Sequence, residues 1–263
     1  MKMLAFLPLG MILMGCGVQD GEDVGQDESK LVPSVYVALG DSYSSGVGTR
    51  EYYDEGCKRS NQAFAVQIAT ARGYELKHVA CSGARVPDVR NNQLSALSTA
   101  TSLVTISVGG NDAGFANVVT QCAKPWPTTC WGDIDGANAF IANQLPGLLN
   151  GLYSEIRTRA PNAKVIVVGY PRLFNGEECN ALARISPGEQ TELNDTADRL
   201  SNATSSAASA HGFQYVDARG PFTSHAICDD VEWVNGLSNP VSESYHPNRS
   251  GHNGYTQLIS KLL

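Results

Sequence analysis

A serine hydroxyl becomes a nucleophile when a base can take its proton, and the chain offers both partners. Ser42 stands in the glycine-led turn Gly40-Asp41-Ser42-Tyr43-Ser44, and His246 is followed by Pro247. Gly40 permits a tight turn, so Ser42 can open a helix with its hydroxyl free. Pro247 biases His246 towards an extended backbone, and a histidine on a rigid loop suits general-base work. Taken alone, Gly-Asp-Ser is equally ordinary turn and cap chemistry. Two more turns offer donors for a developing negative charge: Cys81-Ser82-Gly83-Ala84, through the backbone N–H of Gly83, and Gly109-Gly110-Asn111-Asp112, through the Asn111 amide. The rivals to His246 are His225 and His252. His78 lies inside a candidate strand and His211 at a helix end, where structural roles are commoner, and His252 reads as opening the final helix. His246 and His252 lack carboxylate or thiolate neighbours at a metal-binding spacing, so no metal is expected.

These groups need elements to hold them. Val35–Leu39, Leu103–Val108, Lys164–Gly169 and Phe213–Val216 are short apolar, β-branched runs, and Glu75–Ala80 is a weaker fifth. Between them lie helical patterns at Gln62–Arg72, Ala137–Arg159 and Gly188–Ala210, the last opened by Ser186-Pro187. Alternating strands and helices predict an α/β fold: a three-layer α/β/α sandwich around a mainly parallel five-stranded sheet. Ligands in such sheets bind beyond the carboxyl ends of the strands, where the Ser42, Gly83 and Asn111 turns fall.

Lys2 and the apolar run Met3–Met14 have the size of a signal-peptide core, too short for a permanent membrane span. The run ends in Leu13-Met14-Gly15-Cys16, similar to a bacterial lipobox, so residues 1–15 are read as a lipoprotein-type signal and Cys16 as the lipidated residue. Residues 16–30 carry five acidic groups against one lysine and no apolar periodicity, which reads as a flexible tether. Residues 31–263 are long enough for one domain with a sizeable core. The net charge of −7 and the lack of a basic run exclude nucleic acid as an electrostatic partner. Membrane contact is expected only through the N-terminal lipid, and the protein is expected to be an exported monomer. Beyond Cys16 there are six cysteines, an even set that favours three disulfides over metal ligation in an exported chain. Spacing alone leaves their connectivity open. Each bridge can contribute ~2–4 kcal/mol, mainly by pinning long loops.

In this order and placement Ser42, Gly83, Asn111 and His246 resemble the four blocks of the SGNH hydrolase superfamily, the GDSL lipases and esterases. The resemblance runs from about Val35 to the C-terminus and is nearest to secreted actinobacterial members, which share the His-Pro-Asn ending and a six-cysteine pattern. It implies a flavodoxin-like SGNH fold and the pairs Cys57–Cys81, Cys122–Cys130 and Cys179–Cys228. It further implies an esterase or lipase with Ser42 as nucleophile and His246 as general base and acid. The oxyanion hole would be formed by the N–H groups of Ser42 and Gly83 and the Asn111 amide, and the acyl-serine route needs no metal or organic cofactor. Many members place Asp three residues before the histidine, whereas this chain has Glu243. The imidazole would be oriented by Glu243 or, as in the actinobacterial enzymes, by a main-chain carbonyl, here that of Ser244. The carbonyl is preferred, so Glu243→Ala is expected to lose little activity.

The expected partner is an acyl-ester substrate, with phospholipase A and carbohydrate deacetylase as alternatives and a non-catalytic surface binding module as a rival of another kind. Tyr43, Phe115, Trp126, Trp131, Phe174 and Trp233 are candidates for an acyl pocket, the Pro125-Trp126-Pro127 loop foremost.

Overall fold

The computed structural model describes residues 34–263 except Trp126 and Ala181. The expected signal segment, Cys16 and the acidic stretch lie outside the described residues. Five strands carry the hydrophobic runs: β1 (Val35–Gly40), β2 (Glu75–His78), β3 (Thr101–Ser107), β4 (Lys164–Val168) and β5 (Gln214–Val216). All pair in parallel in the order β2-β1-β3-β4-β5. β1 and β3 are buried along nearly their whole length, as expected of strands covered on both faces. The predicted five-stranded α/β/α sandwich is therefore the observed fold.

Eight α-helices surround the sheet among the described residues: α1 (Ser42–Ser45), α2 (Phe64–Arg72), α3 (Val86–Asn92), α4 (Phe115–Cys122), α5 (Trp131–Asn143), α6 (Leu145–Arg159), α7 (Pro187–Ala210) and α8 (Arg249–Ser260). α2 packs on α8, while α6 packs on both α3 and α7, and α7 on α5. The single helix predicted for Ala137–Arg159 is two. Pro146 lies in the first turn of α6, where it has no N–H to continue the ladder of α5, and the break falls at Gln144. α7 begins as predicted, with Ser186 accepting the Glu189 N–H and Glu189 accepting that of Ser186.

The chain leaves β1, returns as β2 on one side, then crosses to place β3 on the other. A crevice opens where the direction of strand addition reverses, between the carboxyl ends of β1 and β3. Ser42 follows the first of these strands and Asn111 the second. The three disulfides are Cys57–Cys81, Cys122–Cys130 and Cys179–Cys228.

Candidate active site

At the end of β1 the chain turns against β3 so closely that a Cβ on Gly40 would lie 2.3 Å from the Ser107 carbonyl oxygen. Its φ of +122° also belongs to glycine. Asp41 caps α1 by accepting the Tyr43 N–H at 3.0 Å, which sets Ser42 as the first helical residue at the edge of the crevice.

His246 arrives from the other end of the chain, its Nε2 2.9 Å from Ser42 Oγ and its Nδ1 2.7 Å from the Ser244 carbonyl oxygen. A carbonyl can only accept, so Nδ1 carries the hydrogen and Nε2 is left to accept from the serine. Burial holds the imidazole pKa below its usual 6.5, which keeps the ring neutral, with Nε2 unprotonated and able to accept a proton. The contact to Ser244 requires a sharp reversal, supplied by Tyr245 at φ 61°, a left-handed conformation that costs a non-glycine residue free energy. Three hydrogen bonds hold the reversal: Tyr245 N–H to the Asn235 carbonyl at 2.8 Å, Asn235 N–H to the His246 carbonyl at 2.9 Å, and Tyr43 O–H to the Tyr245 carbonyl at 2.9 Å.

Glu243 forms no hydrogen bond with His246, whose ring nitrogens meet the Ser244 carbonyl and Ser42 Oγ. Its carboxylate is buried and accepts from the Gly48 N–H at 2.9 Å and the Tyr52 O–H at 2.6 Å, tying the histidine loop to the segment after α1. Alanine would leave the Gly48 N–H without its partner, so glutamine is the variant that tests orientation without unfastening the loop.

The N–H groups of Ser42 and Gly83 donate to no protein acceptor among the described residues. Asn111 Nδ2 spends one hydrogen on the Ala84 carbonyl at 3.1 Å and keeps a second for a ligand. Gly83 is required by its φ of +80° and not by crowding, since nothing lies within 4 Å of a Cβ there. The two donor turns are locked together by Asp112, whose carboxylate accepts the Val86 N–H at 3.0 Å. The Cys57–Cys81 bridge and a 3.0 Å bond from Ser82 N–H to the Cys57 carbonyl brace the Gly83 turn from the other side.

Ser42, Asn111 and His246 open onto a cleft of about 220 Å³ whose far walls are apolar, with Phe115 and Val119 of α4, Leu173, Leu200 of α7 and Val241. Of the aromatics expected in an acyl pocket, Tyr43 and Phe115 line it. Trp131 is exposed, Trp233 stacks on His225 at 4.0 Å, and Phe174 packs into the core. Neither Pro125 nor Pro127 lines the cleft, and Trp126 lies outside the described residues.

The remaining histidines serve the scaffold. His78 bridges Tyr53 and the Ser44 carbonyl and is pushed down to about 4 by burial. His252 does not open the last helix, as expected from sequence, but lies inside α8, fully buried, because Asn248 caps that helix. His225 Nδ1 meets the Val231 carbonyl, and His211 Nε2 meets Asn150.

Two positioning residues had no sequence signal. Gln93 is buried beside Gly40 and binds both of its backbone polar groups, accepting the Gly40 N–H at 2.7 Å and donating to the Gly40 carbonyl at 2.9 Å. In the sequence it follows Asn91-Asn92 and reads as part of a polar surface. Tyr170 donates to Asp41 and accepts the Gly110 N–H at 3.2 Å, linking the turns of Ser42 and Asn111. Burial pushes the Asp41 carboxyl up to about 7. A carboxyl raised on folding contributes stability below its unfolded value near 3.8, and that contribution is lost as pH rises towards 7. Asp41→Asn keeps the cap and removes the titration, so its unfolding midpoint is expected to fall less than the wild type's between pH 4 and 7. Parallel slopes in thermal melts would show that Asp41 is already ionised across that range.

The pattern of the GDSL-like Lipase/Acylhydrolase family matches residues 38–253. The chain is similar to Lipase 1 of Streptomyces coelicolor, 40% identical over 96% of this chain and 95% of that protein. Among solved structures it is similar to an extracellular lipase from Streptomyces rimosus, 38% identical, TM-score 0.82, covering 88% of this chain and 100% of the other. It is equally similar to phospholipase A1 from Streptomyces albidoflavus NA297, 39% identical, TM-score 0.82, covering 88% and 99%.

Proposed function

The chain belongs to the GDSL-like lipase/acylhydrolase family and is a carboxylic ester hydrolase of the SGNH type, and on that premise we propose that it cleaves long acyl esters through an acyl-Ser42 intermediate. The observation that carries this reading is the 2.9 Å contact between Ser42 Oγ and His246 Nε2 at the edge of an apolar cleft. Ser42 Oγ attacks the ester carbonyl carbon as His246 Nε2 takes its proton, and the Ser244 carbonyl supports the imidazolium through Nδ1–H. The carbonyl oxygen, now an oxyanion, accepts from Ser42 N–H, Gly83 N–H and Asn111 Nδ2. Collapse breaks the ester C–O bond, and the alcohol leaves with the proton held by His246. Water then attacks the acyl-serine with His246 again as base, which releases the acid and restores Ser42.

An acetyl group would leave Phe115, Val119, Leu173 and Leu200 uncovered, so the cleft favours a longer acyl chain over the carbohydrate deacetylase alternative. The likeness to phospholipase A1 supports a phospholipid as one ester it accepts. The test is a hydrolysis panel of acyl esters, triglycerides, phospholipids and acetylated glycans, run beside fluorophosphonate labelling. Turnover that rises with acyl length and labelling lost in Ser42→Ala are expected. Preferential turnover of acetylated glycans would sink the long-acyl reading, and equal labelling of Ser42→Ala would favour a binding module.

The three disulfides support export, and the Leu13-Met14-Gly15-Cys16 sequence supports anchoring through a lipid on Cys16. Fatty-acid labelling absent from Cys16→Ser is the corresponding check.

A further inference from the structure

The acyl cleft divides by burial. Thr120, Val241 and Ser242 line it and are exposed, so they belong to its mouth, whereas Leu173, Ala197 and Leu200 line it from the buried interior and make its floor. Ser42 and His246 stand on the same cleft, so an acyl chain attached to Ser42 Oγ enters it directly.

Two of the floor residues come from α7, whose buried stripe carries Leu193, Ala197 and Leu200 at helical spacing. Leucine stands on the turns before and after, and Leu193 does not reach the cleft. Position 197 offers only a methyl group, and the cleft extends over it. Unfilled volume at a buried position costs stability, and packed interiors leave little of it. Here hydrogen bonds on either side of Ala197 keep the neighbouring elements from settling into the space. Asn194 Oδ1 accepts the N–H groups of Leu173 and Phe174 at 3.1 and 3.3 Å, and its Nδ2 donates to the Phe174 carbonyl at 2.8 Å. About one turn beyond Ala197, Ser201 Oγ donates to the Tyr170 carbonyl at 3.2 Å. α7 is thus pinned to the Tyr170–Phe174 segment before and after the gap.

We infer that Ala197 sets the length of acyl chain the enzyme accepts, because the space over its methyl group receives the far end of the chain. This deepens the ester hydrolase reading above and rests on it. A methylene fills about the 30 Å³ of a water molecule, so a cleft of about 220 Å³ receives a run of about seven carbons beyond the ester carbonyl. Leucine at 197 would take the room of about three of them. Ala197 is a specificity residue with no part in making or breaking bonds.

The experiment measures kcat/KM for p-nitrophenyl esters from acetyl to decanoyl, in monomeric solution, for the wild type, Ala197→Leu and Leu200→Ala. The wild-type value is expected to rise with acyl length and level off near octanoyl, where the floor is full. Ala197→Leu is expected to lower the octanoyl-to-butyryl ratio at least about tenfold, since the last methylenes lose their burial, and to move the preferred length about three carbons shorter. Leu200→Ala enlarges the same floor and is expected to shift the preference the other way, raising the decanoyl-to-octanoyl ratio. It decides the matter if Ala197→Leu does not fold. A folded Ala197→Leu whose activity falls equally at every length, or either variant with the wild-type length profile, would overturn the inference and leave the long-acyl reading standing. A wild type that turns over acetyl esters best would remove that reading, and this inference with it.

Discussion

Ser42→Ala and His246→Ala are each expected to lower kcat by about 10⁴–10⁶, with residual turnover supported by binding and oxyanion donors alone. The magnitude follows from the roles forced by geometry. Among the described residues Ser42 Oγ has a single basic neighbour, His246 Nε2 at 2.9 Å, and the other imidazole nitrogen is occupied by the Ser244 carbonyl. Neither residue can be replaced by a nearby group: His252 is buried inside α8, and both Glu243 oxygens serve the Gly48 and Tyr52 donors. Glu243→Gln, which keeps an acceptor and the side-chain shape, is therefore expected to retain activity within about threefold, as befits a structural hydrogen bond. If Glu243→Gln instead fell as far as His246→Ala, the imidazole would depend on that carboxylate and the carbonyl-supported dyad would be wrong. The pH profile adds a separate readout. Because burial lowers the His246 pKa, the base form persists to lower pH, and the acid limb of kcat/KM is expected below 6.5. A limb above that value would mean a negative partner stabilises the imidazolium.

Asn111→Ala is expected to lower kcat by about 10²–10³ with little change in KM, the loss typical of one preorganised oxyanion donor. The donor is preorganised because its other hydrogen is fixed on the Ala84 carbonyl at 3.1 Å, so the amide does not have to turn from water towards the oxyanion. The same bond joins the Asn111 turn to the Gly83 turn, and alanine deletes it. Asp112 continues to hold that junction through the Val86 N–H, which confines the damage to chemistry. The unfolding midpoint should accordingly move by only a few degrees, as for the loss of about one hydrogen bond. A variant that lost activity through a raised KM, or through collapse of the fold, would show that Asn111 binds substrate or holds the turn instead of serving the transition state.

Much of the architecture was legible locally. The buried strands announce themselves as β-branched apolar runs, and α7 by its capping sequence Ser186-Pro187-Gly188-Glu189, because periodicity and caps are written within a few residues. The fusion of α5 and α6 into one predicted helix came from apolar spacing that continues across the break. Pro146 stops the ladder while leaving that pattern undisturbed.

The sequence by itself determined the chemical types, Ser42 and His246 in turns that could free a hydroxyl and fix an imidazole, Gly83 and Asn111 in turns that could donate hydrogen bonds. It also determined that these turns follow strands. The tertiary structure alone decided which groups meet. The order β2-β1-β3 puts the Ser42 and Asn111 turns on one crevice, and the left-handed backbone of Tyr245 folds His246 onto the Ser244 carbonyl while Glu243 turns away. Gln93 grips Gly40 across 53 residues, and His246 reaches Ser42 across 204. Local pattern carries no information at such separations, since a polar side chain reads as solvent-facing until the fold brings it a buried backbone group to satisfy.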